Sequence, residues 1–176
     1  MSAGAKMPRL KPDYARPLDI KRGRVDMAHG AGGRAMAQLI RELFAAQLGN
    51  EYLDQGDDGA RLPPARGRIV MSTDCHVVSP LFFPGGDIGC LSVHGTINDV
   101  AMMGAQPLYL AAGFILEEGF PLAQLQRIIA SMALASRQAR RSSAALSRGK
   151  KRRSYVCSSR VRAKPRCAIV SRSWPS

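Results

Sequence analysis

Apolar and polar positions repeat along this chain with two different periods, and the switches between them outline its elements. Met36, Leu39, Ile40, Leu43, Phe44 and Leu48 recur three and four residues apart, with Arg34, Gln38, Arg41 and Glu42 between them. That spacing predicts an amphipathic helix, ended by Gly49-Asn50. Leu122, Leu125, Ile128, Ile129 and Met132 repeat the pattern after Phe120-Pro121 and predict a second one. Arg68 to Asp74 reads as a buried strand with a polar end. Leu108 to Leu116 reads as a strand covered on both faces, because its apolar run is unbroken. Arg24 to Ala28 alternates weakly, as a short strand would, and Leu81 to Asp87 reads as a loop with two apolar anchors. Ile88 to Met103 is a mostly apolar helix with one polar knot, Asn98-Asp99.

That knot is the first candidate for chemistry. A carboxylate on an apolar element cannot enter a dry core without a cation or hydrogen-bond donors, and leaving it unpaired costs several kcal/mol. A hard cation such as Mg2+, carried in with a phosphate, suits oxygen ligands. The plainer reading makes Asn98 and Asp99 helix caps, and the residues alone leave both open. A second candidate is the turn His29-Gly30-Ala31-Gly32-Gly33, which feeds straight into the first helix. Gly30, Gly32 and Gly33 would let backbone N–H groups approach an anion, although a plain flexible turn has the same composition. It lacks both the Lys-Ser/Thr ending of a Walker loop and the GxGxxG spacing of a dinucleotide fold. Asp57-Asp58, between glycines, is either a solvated turn or a metal corner, and Asp74 is either a strand-ending turn residue or a ligand presented by a sheet.

Charge changes the picture only at one end. The net charge of +13 suggests nucleic acid if spread over a folded face. However, all 13 acidic residues lie at or before Glu118, and 13 of the 26 basic ones lie beyond residue 135. The basicity is a property of the tail. Cys75, Cys90, Cys157 and Cys167 form no CxxC pair and have no His at zinc spacing, so isolated reduced thiols are expected. No apolar run approaches the roughly 18 residues of a membrane span, and no apolar signal core opens the chain, so a cytoplasmic protein is expected.

The polar motifs together resemble the HypE family of hydrogenase expression/formation proteins. That family lies within the ATP-binding superfamily of aminoimidazole ribonucleotide synthetase, thiamine-monophosphate kinase and selenophosphate synthetase. The resemblance runs from about Pro17 to Gln138 and rests on five stretches in order. They are Arg24 to Met36, Ser72-Thr73-Asp74, Pro80 to Gly89, Gly95 to Ala101, and Gly113 to Gly119. The resemblance implies an α+β fold, the N-terminal domain of the aminoimidazole ribonucleotide synthetase-like fold. Its sheet is mixed or antiparallel, with helices on one face, and it forms a shared barrel in a homodimer. The implied activity is maturation of nickel–iron hydrogenase, in which ATP drives dehydration of a cysteine-bound carboxamide to a thiocyanate for the iron cyanide ligands. The implied cofactors are ATP and Mg2+, and the implied partners are the HypF carbamoyltransferase and the HypC–HypD scaffold. Gly30, Gly32, Gly33, Asn98 and Asp99 fall on nucleotide positions, and Asp58, Asp74 and Asp99 on metal positions, with Asp57 a weaker candidate. Another synthetase or kinase of the superfamily is the alternative enzyme.

The chain departs from that pattern near Ala139. The family continues into a strand and a Gly-Asp-Thr-Lys motif of the ATP site, whereas this chain reads Ala139-Arg140-Arg141-Ser142-Ser143-Ala144-Ala145 and has no such motif. The family's second domain and its terminal Cys, the residue carbamoylated there, are not expected here, so no catalytic residue is assigned. The expected division is a leader over 1–16, the ATP-binding domain over 17–139, and a disordered Ser/Arg-rich tail over 140–176. Arg141 to Ala145 is what CCG CTC GTC GGC GGC yields one base out of frame; in frame it reads Pro-Leu-Val-Gly-Gly, close to the family's strand. A frameshifted tail is therefore expected, and an uninterrupted frame at the locus would overturn it. The rival reading makes the tail an arm for RNA, DNA or anionic lipid. Tyr155 and Trp174 are its only aromatics, too few for a stacking platform, so nucleic acid is not the expected partner.

Overall fold

A computed structural model describes residues 16–57, 59–64, 67–146, 154–162 and 167–170; beyond residue 139 it describes the backbone alone. The first predicted helix forms as α1 (Arg34–Leu39), a π turn (Ile40–Phe44) and α2 (Ala45–Leu48), with Met36, Leu39, Leu43 and Phe44 buried. The chain then makes strand β1 (Ile69–Val77), a small hairpin of β2 (Phe82–Phe83) and β3 (Gly86–Asp87), and helix α3 (Ile88–Met102). Strand β4 (Tyr109–Glu117) leads to the long helix α4 (Leu122–Leu146), and strands β5 (Ser154–Arg162) and β6 (Cys167–Val170) follow.

The main sheet has the order β1-β5-β4-β6. Strand β5 runs parallel to both β1 and β4, and β6 antiparallel to β4, so the sheet is mixed and the α+β class holds. The core lies where α4, α3, the π turn and β4 meet. Leu122, Leu125, Ile128, Ile129 and Met132 are all buried, as their spacing predicts, against Phe114 and Leu116 of β4 and Ile88 and Val93 of α3. The Phe44 and Phe114 rings meet edge to face at 4.9 Å. Each such side chain contributes about 1.5–3 kcal/mol by leaving water. Helices α3 and α4 approach closely because Gly89 has no side chain: a Cβ there would collide with the Ile128 carbonyl. Asp87 caps α3, accepting from the Cys90 N–H at 3.0 Å. The buried hydroxyls of Ser92 and Thr96 donate back to the Gly89 and Ser92 carbonyls of their own helix, so neither is left unpaired.

Several local expectations change. Arg24 to Ala28 is no strand: Arg24 makes one isolated bridge to Pro121, and Met27–His29 is a 3-10 turn capped by Asp26. Leu81 to Asp87 is a hairpin rather than a loop, with Arg127 of α4 lying 4.2 Å above the Phe82 ring. Neither main strand is covered on both faces. Strand β1 alternates exposed and half-buried positions, with Ile69 and Met71 about two-thirds exposed, and Ala111 and Ala112 of β4 are exposed. Helices cover one side of this sheet, and an unbroken apolar run does not report which side.

Helix α4 runs across residue 139 to Leu146, and Ser154–Arg162 and Cys167–Val170 are strands. Strand β5 stands between β1 and β4, which would otherwise present two facing rows of unpaired N–H and C=O groups.

Candidate functional site

Strand β1 turns one edge of its pleat toward α3. Val70, Ser72, Asp74 and His76 are half-buried there, while Met71, Thr73, Cys75 and Val77 point to the exposed side. Period two places Ser72, Asp74 and His76 in one line, with about 7 Å between successive positions. From α3 the facing residues are Gly95 and Asp99, one helical turn apart. The Ser72 hydroxyl donates to Asp99 Oδ2 at 3.1 Å. Asp74 is held at both oxygens: the Cys75 N–H donates to Oδ1 at 2.7 Å, and His76 Nε2 lies 3.3 Å from Oδ2. The His76 ring sits on Gly95, where a Cβ would come within 2.5 Å of Nε2.

Asp99 is open to solvent, as is Asn98 beside it, and Asp74 is 44% exposed. The capping alternative for Asn98-Asp99 therefore falls: both lie inside the last turns of α3, and the cap is Asp87. The burial argument falls as well, because neither side chain enters the core. What remains is a wall carrying two carboxylates and an amide, with Asn98 and Asp99 exposed and Asp74 partly so. Among the described residues no group of three His, Cys, Asp or Glu side chains is gathered to hold a metal. Mg2+ does not need one: it keeps several waters and takes one or two carboxylates together with substrate phosphates. Asp74 and Asp99 are oxygen donors of the type Mg2+ takes, on adjoining elements of one wall.

Other candidates lie apart. Asp58 is outside the described residues. Asp57 pairs with Arg61, so its carboxylate is already engaged within its own turn. The Gly-rich turn is braced by the buried His29, whose Nδ1 accepts from the Asp26 N–H at 3.0 Å. Gly32 has φ +73°, a left-handed conformation that glycine adopts without strain. Gly32 and Gly33 are exposed, and Gly33 caps α1 with no side chain on the first-turn N–H groups. Among the described residues, no substantial packing joins this turn or α1 to β1 or α3. One chain thus displays two groups of candidate residues, Gly30–Gly33 and Asp74/Asn98/Asp99, without bringing them together.

Ser72 and His76 carry no role in the sequence reading, although their spacing from Asp74 on an alternating strand places them on its face. Cys75 and Cys90 are free thiols; burial, and then the Asp87 carboxylate, pushes the Cys90 thiol above its usual range. The side chains of Cys157 and Cys167 lie outside the described residues. No helix among the described residues is long and apolar enough to cross a membrane.

Residues 56–148 match the family model of the AIR synthase related protein, N-terminal domain, and the chain belongs to that family. Within it, the resemblance is to HypE. The chain is 71% identical over 131 residues to carbamoyl dehydratase HypE of Cupriavidus necator, covering 74% of this chain and 37% of that relative. It is 69% identical over 122 residues to carbamoyl dehydratase HypE of Azotobacter vinelandii, covering 69% of this chain and 36% of the relative. A crystal structure of hydrogenase maturation protein HypE in complex with ATP superposes with a TM-score of 0.64 at 39% identity, over 80% of this chain and 38% of that one. The chain thus spans little more than a third of the length of these relatives, and the matched part is their N-terminal portion.

Proposed function

We propose that this chain carries the N-terminal part of an ATP-dependent carbamoyl dehydratase that serves nickel–iron hydrogenase maturation. The observation that supports it is the β1–α3 wall, which presents Asp74 and Asp99 to solvent in the setting that Mg2+ and phosphate oxygens require. Converting a cysteine-bound carboxamide to a thiocyanate is difficult because the amide oxygen is a poor leaving group. Transfer of the ATP γ-phosphoryl group to that oxygen solves this; loss of phosphate and of the amide protons then leaves the nitrile. Such a transfer is governed by positioning and by neutralising charge. Bound Mg2+ would supply that neutralisation, and Asp74 and Asp99 are the residues that would hold it. Asn98 would donate a side-chain N–H beside them, and the N–H groups after Gly33, which no side chain caps, would hold an anion.

The proposed assembly is a homodimer joined through the exposed face of β1, where Ile69, Met71 and Val77 lie half or more exposed. A second copy would also supply a Gly-rich turn to a site that one chain does not complete. In this reading the partners are a HypF carbamoyltransferase and a HypC–HypD scaffold, and no Gly-Asp-Thr-Lys motif is present to complete the nucleotide site. Titration of ATP into the purified chain tests the reading. The expected result is binding that requires Mg2+, weakened at least about tenfold in Asp99→Asn, with no turnover. Nucleotide binding indifferent to both Mg2+ and Asp99→Asn would remove the proposal, and ATP hydrolysis by this chain alone would contradict its incompleteness.

A further inference from the structure

His76 Nδ1 is a buried side-chain atom without a hydrogen-bond partner, on a side chain only 11% exposed. Leaving such an atom unpaired costs about 1–3 kcal/mol. The ring is nonetheless held there, against α3 at Gly95, where a Cβ would meet it. What this placement achieves is at the other nitrogen, 3.3 Å from Asp74 Oδ2. We infer that His76 is a positioning residue for Asp74, and that Gly95 is the clearance in α3 that admits it. The inference rests on the reading of Asp74 as a carboxylate of the Mg2+–nucleotide site.

The Cys75 N–H already fixes Oδ1 of Asp74. His76 Nε2, 3.3 Å from Oδ2, crowds that oxygen and limits the remaining rotation about χ2, so the carboxylate is biased to one orientation toward an incoming cation. A ligating carboxylate is commonly steadied by such an outer contact, and its loss costs about 10–100-fold in metal affinity.

Two readings of the full chain test this: the Mg2+ concentration that gives half-maximal ATP binding, and Tm without metal or nucleotide. His76→Leu keeps the bulk and removes the ring nitrogens; the half-point should rise about tenfold, with Tm not lowered and metal-free nucleotide affinity unchanged. His76→Gln still offers an N–H and should return the half-point to within about threefold of the unaltered chain. Gly95→Ala, which displaces the ring from the α3 side, should shift the half-point in the same direction as His76→Leu. It does so although alanine is the better helix former by about 1 kcal/mol, and it replaces His76→Leu as the test if that variant fails to fold. An unchanged half-point in His76→Leu and Gly95→Ala overturns the inference. Equal shifts in His76→Leu and His76→Gln, accompanied by a lower Tm, overturn it in favour of packing alone. If ATP binding needs Mg2+ and Asp74→Asn abolishes it while His76→Leu does not weaken it, only the inference fails. If the unaltered chain shows no Mg2+-dependent binding, the reading of Asp74 fails and the inference with it.

Discussion

Strands β1 and β4 are each nine residues long and run parallel to β5 on its two sides, yet they serve opposite ends. Strand β4 sends Phe114 and Leu116 into the core against α4 and the π turn. Strand β1 buries no residue fully; toward α3 it carries Ser72, Asp74 and His76, and its other face is open. The same pleat can thus be a core wall or a site wall, and the helix opposite decides which. Leu125, Ile129 and Met132 of α4 share one apolar cluster with Phe114 and Leu116 of β4, whereas α3 sets Gly95 and Asp99 beside the polar positions of β1 and Val100 against Val70.

The largest expected effect is on the β4 side. Phe114→Ala removes the edge-to-face partner of Phe44 and should cost about 3–5 kcal/mol in urea unfolding. Ser72→Ala on β1 should cost under about 1 kcal/mol, because its partner Asp99 remains hydrated. Equal losses at the two positions would break the comparison.

A smaller effect sharpens it. Glu42 lies on the π turn, where partial burial acts to raise its pKa. The Leu18 N–H at 2.7 Å, Gln38 and Arg41 together outweigh burial and hold the carboxyl below the usual glutamate range. A depressed folded-state pKa means that this stabilisation is present above the unfolded value and is lost as pH falls through the folded one. Glu42→Gln should therefore lower stability at neutral pH by about 1–2 kcal/mol and flatten the acid limb of the stability profile. An acid limb identical to that of the unaltered chain would exclude Glu42 as its source.

The smallest effect on stability is expected at the open face of β1. Met71→Lys should shift unfolding by less than about 0.5 kcal/mol, while light scattering should show a dimer turning to monomer. A monomeric unaltered chain, or a variant that stays dimeric, would remove β1 as the joining surface.

Much of the helical framework was legible because three- and four-residue spacing survives whatever the helix packs against. The five residues from Leu122 to Met132 that the spacing selects are all buried. The strands were legible as strands but not in their burial, since an apolar run cannot report on which side a helix lies. Residues 154–162 carried no sustained period, yet they form the strand between β1 and β4. At the site, the glycine turn and the carboxylates stood out by residue type and by family resemblance. Asn98-Asp99 looked like a buried pair in an apolar helix, although it faces water.

By itself, then, the chain's order of residues determined the helices, the family and which side chains have oxygen to offer. Tertiary structure alone decided that Ser72 reaches Asp99 and that His76 reaches Asp74 across Gly95. The physical reason is distance along the chain: Ser72 and Asp99 are 27 residues apart, and only the docking of α3 on β1 brings them within hydrogen-bond reach.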